Sequence, residues 1–250
     1  MAQERTKRVA IVTGGGTGLG RGAARTLARD GYAVAILGRR IDRLKPQPGE
    51  ENLHPYQCDV GDQAEAERTV KAIRDRFGRI DVLVNNAGVF RIKKLTEITL
   101  AHIAEVFGAN MYGTIYMTIA CMDALKQSRG AIVNVSSSIA HQPSDRGVSI
   151  YGGTKGGIEV FTRICARELA PAVRVNCGSP GLMRSEAYYA NGTSEADYDA
   201  LLRKWADGFP LKRVGEPEDF GEVVAFFASP EKSGWITGTI QILDGGRSLL

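Results

Sequence analysis

The chain has 250 residues, of which 43% are hydrophobic and 24% charged, and a formal net charge of +4. This composition is typical of a packed globular protein and excludes disordered and fibrous classes. The length favours one large domain over residues 1–250. Because the basic residues are scattered along the chain, the mild positive charge argues against nucleic-acid binding.

The cysteine and histidine spacings predict neither disulfides nor a metal site. No CxxC pair occurs among Cys58, Cys121, Cys165 and Cys177, which favours a reducing compartment. The histidines His54, His102 and His141 are dispersed without an acidic cluster. The apolar run 9–12 is too short to span a membrane or to form a signal peptide. We therefore expect a cytoplasmic protein with no membrane partner.

Short β-branched runs alternate with helical patterns from residue 8 onward. Strands are predicted within 8–13, 32–37, 51–60, 80–88, 131–136, 173–178 and 238–243. Helices are predicted within 18–31, 64–78, 96–127, after Tyr151, and within 217–228. This alternation indicates an α/β fold, a Rossmann-type doubly wound parallel sheet of about seven strands in three layers. Residues 186–213 fit no strand and are predicted to be a substrate-covering insertion.

A glycine-rich turn, TGGGTGLG, joins the first strand to the first helix. Glycine lets backbone approach a ligand closely, and the helix that follows directs its amides and dipole at a phosphate. We therefore expect a dinucleotide pyrophosphate on this turn, at Gly14, Thr17, Gly18, Leu19 and Gly20. The alternative is that the glycines serve only tight packing of strand against helix.

The second strand ends at Leu37, and Gly38, Arg39 and Arg40 follow it. An NAD-binding fold usually places an acid here, on the adenosine ribose hydroxyls. A glycine followed by two arginines instead leaves room for a 2′-phosphate and supplies guanidinium groups that bind it. This predicts NADP(H) in preference to NAD(H), the alternative being a solvated arginine pair.

Tyr151 and Lys155 are one turn apart at the start of a predicted helix. Hydride addition to a carbonyl requires a proton donor, and a nearby ammonium would lower the tyrosine pKa so that it can also act as a base. Alone, such a pair is commonplace on a helix surface. Its significance comes from the serines 136–138, which end the preceding strand and should face the same crevice as the glycine turn.

At this point the chain resembles the short-chain dehydrogenase/reductase family, along nearly its whole length. The resemblance is carried by the TGxxxGxG turn, by NNAG at 85–88, by Tyr151 and Lys155 as YxxxK, and by PLKRVGEP at 210–217. It implies that Tyr151 is the general acid/base, that Lys155 lowers its pKa and binds the nicotinamide ribose, and that Asn110 holds a proton relay. It further implies cofactor contacts from Asp59, Val60, Asn86, Ala87, Gly88, Pro180, Gly181, Met183 and Ser185.

The same resemblance implies a serine that orients the substrate oxygen, but two residues compete for the role. Counting thirteen residues back from Tyr151 selects Ser138, whereas counting along the strand from Asn134 selects Ser137. The first count is preferred here. Ser136 is expected to be structural.

Together these features predict an oxidoreductase that transfers a hydride between NADP(H) and a small ketone, aldehyde or alcohol. Two alternatives stay open: a 3-oxoacyl-[acyl-carrier-protein] reductase, which would need a basic docking surface, and a non-catalytic nucleotide-sensing module. The family resemblance implies a homo-oligomer, a tetramer or a dimer. Glycines 152, 153, 156 and 157 weaken the catalytic helix, which suggests close helix contact between subunits.

Overall fold

The computed structural model describes residues 7–142, 147–185 and 193–249. Seven strands form one parallel sheet in the order β3-β2-β1-β4-β5-β6-β7. The strands are β1 Val9–Thr13, β2 Ala33–Gly38, β3 Leu53–Gln57, β4 Val82–Asn85, β5 Ala131–Val135, β6 Arg174–Pro180 and β7 Ile240–Leu243.

Helices cover both faces of this sheet, because alternate strand residues are apolar on either side. Val9 and Ile11 of β1 join the core beneath one set of helices, and Ala10 and Val12 join the core beneath the other. The first set is α2 Gln63–Phe77, α4 Gly113–Ser128 and α5 Ser149–Leu169; the second is α1 Gly18–Arg29 and α7 Pro217–Ala228. The remaining helices are α3 Leu100–Phe107, α6 Glu195–Gly208 and the short α8 Pro230–Ser233.

The strand order reverses between β1 and β4, which are neighbours in the sheet although two strands separate them in the chain. Ligands of open parallel sheets bind beyond the carboxyl ends of the strands at such a switch point. The loops after β1, β4 and β5 therefore meet at one crevice. This topology confirms the predicted doubly wound α/β fold with seven strands.

Two segments differ from the predicted elements. The helix expected over 96–127 is interrupted: Thr99 caps α3 by accepting a hydrogen bond from the His102 amide, and a π-helical turn, Gly108–Tyr112, separates α3 from α4. The 186–213 region contains α6. Ser194 caps the start of this helix, where its hydroxyl accepts a hydrogen bond from the Asp197 amide at 3.2 Å. Residues 186–192 lie outside the described residues.

Three aromatic residues of the 186–213 region belong to a small hydrophobic cluster. Tyr198 and Phe209 are buried with Leu202 and Val214, and Trp205 packs against them. These three aromatics therefore form a small hydrophobic cluster of their own, whereas Tyr188 and Tyr189 are outside the described residues. None of the helices described is both long and apolar enough to cross a membrane.

Candidate active site

The glycine turn is fastened to the loop after β4 by the side chain of Thr13. Its hydroxyl donates to the carbonyl of Val84 and accepts from the amides of Asn86 and Ala87, at 3.0 and 2.9 Å. Asn86 in turn donates its side-chain amide to the Thr13 carbonyl at 2.9 Å. These bonds hold the two loops of the switch point together.

Gly20 lies where no side chain fits. A Cβ atom there would come within 2.2 Å of the Gly14 carbonyl oxygen and 2.4 Å of the Asn86 side-chain nitrogen. Thr17 occupies the N-cap of α1 with extended backbone, and its own side chain makes no capping hydrogen bond within the described chain. The first-turn amides of α1 are therefore open to an anion such as a pyrophosphate.

The far end of the same cleft is basic. Gly38 ends β2, and the nearest atoms that a Cβ there would meet belong to Leu44, at 3.4 Å or more. Arg39, Arg40 and Arg43 follow it, and all three line the cleft. The Arg39 guanidinium is 4.0 Å from the Asp59 carboxylate and its side chain is 59% exposed, so it keeps most of its donors toward solvent.

The other end of the cleft is formed by the start of α5. Tyr151 lies in the first turn of this helix and packs edge-on against Phe90, with 5.0 Å between the ring centroids. Lys155 follows one turn later and is only 4% exposed. Its ammonium donates to the Val135 carbonyl at 2.7 Å and lies 5.6 Å from the centre of the Tyr151 ring.

Of the serines after β5, Ser137 is the one whose side chain lies near enough to Tyr151 to lower its pKa. The thirteen-residue count that favours Ser138 is therefore one residue off for this contact. Ser137 still has extended backbone as it leaves β5, whereas Ser138 already begins a 3-10 turn, Ser138–Ala140. The strand register, which Asn134 anchors beside Asn85 of β4, gives the better guide. Both serines line the cleft.

Burial governs the ionisation of the pair. It raises the pKa of Tyr151, and the hydrogen bond from Ser137 opposes this rise. Burial also lowers the pKa of Lys155 to about 8, while the Cys177 thiol acts in the opposite direction. The expected lowering of the tyrosine pKa by Lys155 is not dominant here, because the ammonium is bonded to Val135 and is itself easily deprotonated.

Asn110 lies in the π-helical turn and is fully buried behind this pair. Its side-chain carbonyl accepts from the Val89 amide at 2.7 Å, and its amide donates to the Val89 carbonyl and to Thr154, each at 3.2 Å. The Thr154 hydroxyl donates to the Tyr151 carbonyl at 2.7 Å. Asn110 thus connects the loop after β4 to the first turn of α5.

One open cleft of about 890 Å³ brings together all the predicted site residues except Asn110, which lies behind its wall. The cofactor candidates among its lining residues are Gly14, Thr17, Gly18, Leu19, Gly20, Arg39, Arg40, Asp59, Val60, Asn86, Ala87, Gly88, Pro180, Gly181, Met183 and Ser185. Ser137, Ser138, Tyr151 and Lys155 line its other end. In the described chain, no group of three or more His, Cys, Asp or Glu residues could hold a metal ion.

Several residues that line this cleft were not predicted from the sequence, and three of them have side chains suited to a ligand. Phe90 comes two residues after the NNAG motif, a proximity that could have marked it. Arg43 comes four residues after Arg39, on a 3-10 turn that returns it to the cleft. Arg247 comes directly after the last glycine pair of the chain, where no local pattern indicates a site.

Comparisons with known proteins agree with this arrangement. Residues 14–248 match the family model described as enoyl-(acyl carrier protein) reductase. The chain is 34% identical over 245 residues to carbonyl reductase family member 4 of Xenopus laevis, with 97% of this chain and 98% of that protein covered.

Two solved structures are also similar. Ligand-free aldohexose dehydrogenase of Thermoplasma acidophilum has a TM-score of 0.89 and 28% identity, covering 99% of this chain and 96% of its own. The 3-ketoacyl-(acyl-carrier-protein) reductase of Brucella melitensis, complexed with NADH, has a TM-score of 0.87 and 29% identity, covering 96% and 98%. The chain belongs to the short-chain dehydrogenase/reductase family, whose members are oxidoreductases acting on CH–OH and C=O groups.

Proposed function

We propose that this protein transfers a hydride between NADP(H) and a small ketone, aldehyde or alcohol, with Tyr151 as general acid/base. The observation that carries the proposal is the placement of Tyr151, Ser137 and Lys155 at one end of a cleft that also contains the glycine turn. A cofactor extended along this cleft would have its phosphates on the glycine turn and its nicotinamide beside Tyr151.

The residues of the cleft fit a dinucleotide. The Gly14–Gly20 turn and the open amides of α1 suit the pyrophosphate. The family resemblance would put Asp59 and Val60 at the adenine, Asn86 to Gly88 along the cofactor, and Pro180, Gly181, Met183 and Ser185 at the nicotinamide, and all of these residues line the cleft. When bound, the nicotinamide supplies or accepts the hydride.

The preference for NADP(H) rests on the basic end of the cleft. No acid directly follows Gly38, and Arg39, Arg40 and Arg43, which line this end of the cleft, would supply guanidinium groups to a 2′-phosphate. A charge-assisted, bidentate contact with such a phosphate is about twice as strong as a neutral hydrogen bond. This supports discrimination against NAD(H), which lacks that phosphate.

The chain's own residues handle the proton. A carbonyl oxygen within reach of both Ser137 and Tyr151 would accept a hydrogen bond from each, and Tyr151 would transfer its proton as negative charge develops on that oxygen. The raised pKa of Tyr151 keeps the phenol protonated at neutral pH, which suits reduction. Lys155, close to deprotonation near pH 8, would replenish the proton, and Asn110 holds the helix turn that carries Tyr151.

Reduction of a 3-ketoacyl group carried on acyl carrier protein, the activity named for the Brucella relative, is the second candidate. Arg129 and Arg174 are too few to form the basic docking surface that it would need, and Arg174 donates to the carbonyl and hydroxyl oxygens of Ser233, at 3.1 and 2.9 Å. This leaves it engaged within the chain, so a small carbonyl is favoured. A pure nucleotide sensor is disfavoured because it would not require a serine and a tyrosine side by side at the chemical end of the cleft.

The proposal also includes a cytoplasmic location, assembly into a homo-oligomer, and a substrate-covering role for residues 186–213. The four cysteines are free and buried, in keeping with a reducing compartment. Ile119 of α4 and Val160 and Ile164 of α5 are exposed apolar side chains, and Gly153 and Gly156 face open space. Together they provide a surface for helix contact between copies.

A titration of the purified protein with NADPH and with NADH, followed by fluorescence, tests the proposal. Turnover is then assayed on a panel of carbonyl substrates with whichever cofactor binds more tightly. We expect tighter binding of NADPH, with turnover of at least one small carbonyl. Preference for NADH would refute the assignment of the arginines, and cofactor binding without turnover of any substrate would refute the enzyme in favour of the sensor.

A further inference from the structure

Glu159 is a buried carboxylate on the catalytic helix. It lies one turn beyond Lys155 on α5 and is 5% exposed, although glutamate is almost never fully buried unless paired. Its Oε1 atom accepts from the Ser136 hydroxyl at 2.8 Å and lies 2.8 Å from Nε2 of His141. The role of this carboxylate follows from where Ser136 and His141 lie in the chain.

The two partners flank the serine that contacts Tyr151. Ser136 precedes Ser137 directly, and its hydroxyl also contacts the Lys155 carbonyl at 3.0 Å. Ser137 and His141 flank the 3-10 turn Ser138–Ala140 as its N-cap and C-cap, and the His141 amide donates to the Ser138 carbonyl at 3.0 Å. One carboxylate oxygen therefore fastens both sides of Ser137 to the helix that carries Tyr151.

Two other buried carboxylates in the described chain differ in their partners and their place. Glu50 accepts from Arg21 and Arg25, and Asp81 accepts from Arg79 and from the Val9 amide. Neither of these carboxylates lines the cleft or contacts a segment next to Ser137. Glu159 is instead paired with a histidine and a serine from the segment that carries Ser137.

We propose that Glu159 is a positioning residue for the reaction, acting through Ser136 and His141 to hold the Ser137 hydroxyl against Tyr151. The inference rests on the proposed function. The Ser136 amide already donates to the Gly178 carbonyl of β6 at 2.8 Å, so the strand side of Ser137 is fixed by the sheet. Glu159 fixes the turn side, where a small displacement would separate the serine from the tyrosine and slow the chemical step.

The test compares Glu159→Met, which removes the acceptor, with Glu159→Gln, which keeps an acceptor oxygen and the shape. Glu168→Gln, at an exposed position of the same helix, is the matched control. Misplacement of a reacting group by about 1 Å can cost about 100-fold. We therefore expect Glu159→Met to lower kcat about 10- to 100-fold, with KM and the Kd for NADPH within about twofold of wild type.

Further readouts separate positioning from a merely structural role. With NADPH deuterated at the transferred position, the primary isotope effect on kcat should rise in Glu159→Met, because the chemical step becomes more rate-limiting. Glu159→Gln should recover most of kcat, and Glu168→Gln should change nothing. A kcat within twofold of wild type in folded Glu159→Met would overturn the proposal.

His141→Phe covers the case in which Glu159→Met does not fold. The His141 side chain is 28% exposed, so this change removes its contact with Glu159 without burying a much larger side chain. We expect kcat to fall in the same direction with unchanged Kd for NADPH, and an unchanged kcat would count against the proposal.

Crystal structures of wild type and Glu159→Met make the inference independent of turnover. The Ser137–Tyr151 hydrogen bond should be present in the first and lost in the second. If the contact persists in the variant, the positioning role is wrong, whatever the enzyme does. If wild type turns over no carbonyl while the contact is lost as expected, the proposed function fails and the positioning of Ser137 by Glu159 stands.

Discussion

The two ends of the cleft are built in opposite ways. At the adenosine end, exposed arginines follow one another closely in sequence, and Arg39 has a single distant carboxylate partner in Asp59. At the chemical end, Tyr151 and Lys155 of α5 are joined by buried hydrogen bonds to more distant parts of the chain, Asn110 through Thr154 and the Val135 carbonyl directly. Changes at the first end should alter binding alone, whereas changes at the second should alter the rate.

The glycine turn between the two ends should give the largest effect. Gly20→Ala places a Cβ within 2.2 Å of the Gly14 carbonyl, which forces the turn open. We expect the Kd for NADPH to rise at least about 100-fold, or about 2.7 kcal/mol. Isothermal titration measures this, with Gly208→Ala as the control because a Cβ there meets nothing within 4 Å. Equal affinity in both variants would contradict a phosphate at the turn.

Ser137→Ala tests the chemical end. Because an oriented hydrogen-bond donor at a developing oxyanion is worth about 10²- to 10³-fold in kcat, we expect a loss of about 100-fold with unchanged NADPH affinity. Ser138→Ala is the matched control and should keep kcat within about threefold. Steady-state kinetics of the two variants show which serine orients the substrate oxygen. A larger loss of kcat in Ser138→Ala would identify Ser138, as the thirteen-residue count predicts.

Arg39→Gln tests the adenosine end. Loss of a charge-assisted contact with a 2′-phosphate should raise the Kd for NADPH about 10- to 100-fold. The Kd for NADH and the kcat at saturating NADPH should not change. Fluorescence titration with both cofactors measures this, with exposed Arg129→Gln as the control. Similar weakening of NADH would show that Arg39 does not contact the 2′-phosphate.

Lys155→Met gives the smallest effect, on stability. Burial lowers the Lys155 pKa from 10.5 to about 8, so below pH 8 the folded protein holds a buried ammonium that the unfolded chain solvates. Removing it should raise the free energy of unfolding by on the order of 2 kcal/mol below pH 8, after subtracting the lost bond to Val135. Above pH 10.5 both states are neutral, so the gain should vanish as pH rises from 8 to 10.5.

Urea unfolding across this pH range, with wild type and variant side by side, measures the difference. A gain that is constant between pH 7 and pH 11 would show that Lys155 is not held near deprotonation by burial.

The same contrast explains what the sequence could predict. The glycine turn, Arg39 and YxxxK are local patterns whose spacing is kept in the fold, and the doubly wound parallel sheet followed from the alternating elements, although its strand order did not. The choice between Ser137 and Ser138 stayed open in the sequence because it depends on the length of the segment between β5 and α5. The role of Glu159 was missed because its partners, Ser136 and His141, are distant in sequence. Contacts between loops determine where Ser137 and the partners of Glu159 lie, and the hydrophobic periodicity of a sequence does not indicate such contacts.

The most direct test of the account is the turnover of Tyr151→Phe with NADPH and its preferred carbonyl. General acid catalysis by a positioned side chain contributes about 10²- to 10⁴-fold, so we expect kcat to fall at least about 100-fold while NADPH binds within about threefold of wild type. A variant that keeps more than about a tenth of kcat would contradict the central claim that Tyr151 supplies the proton.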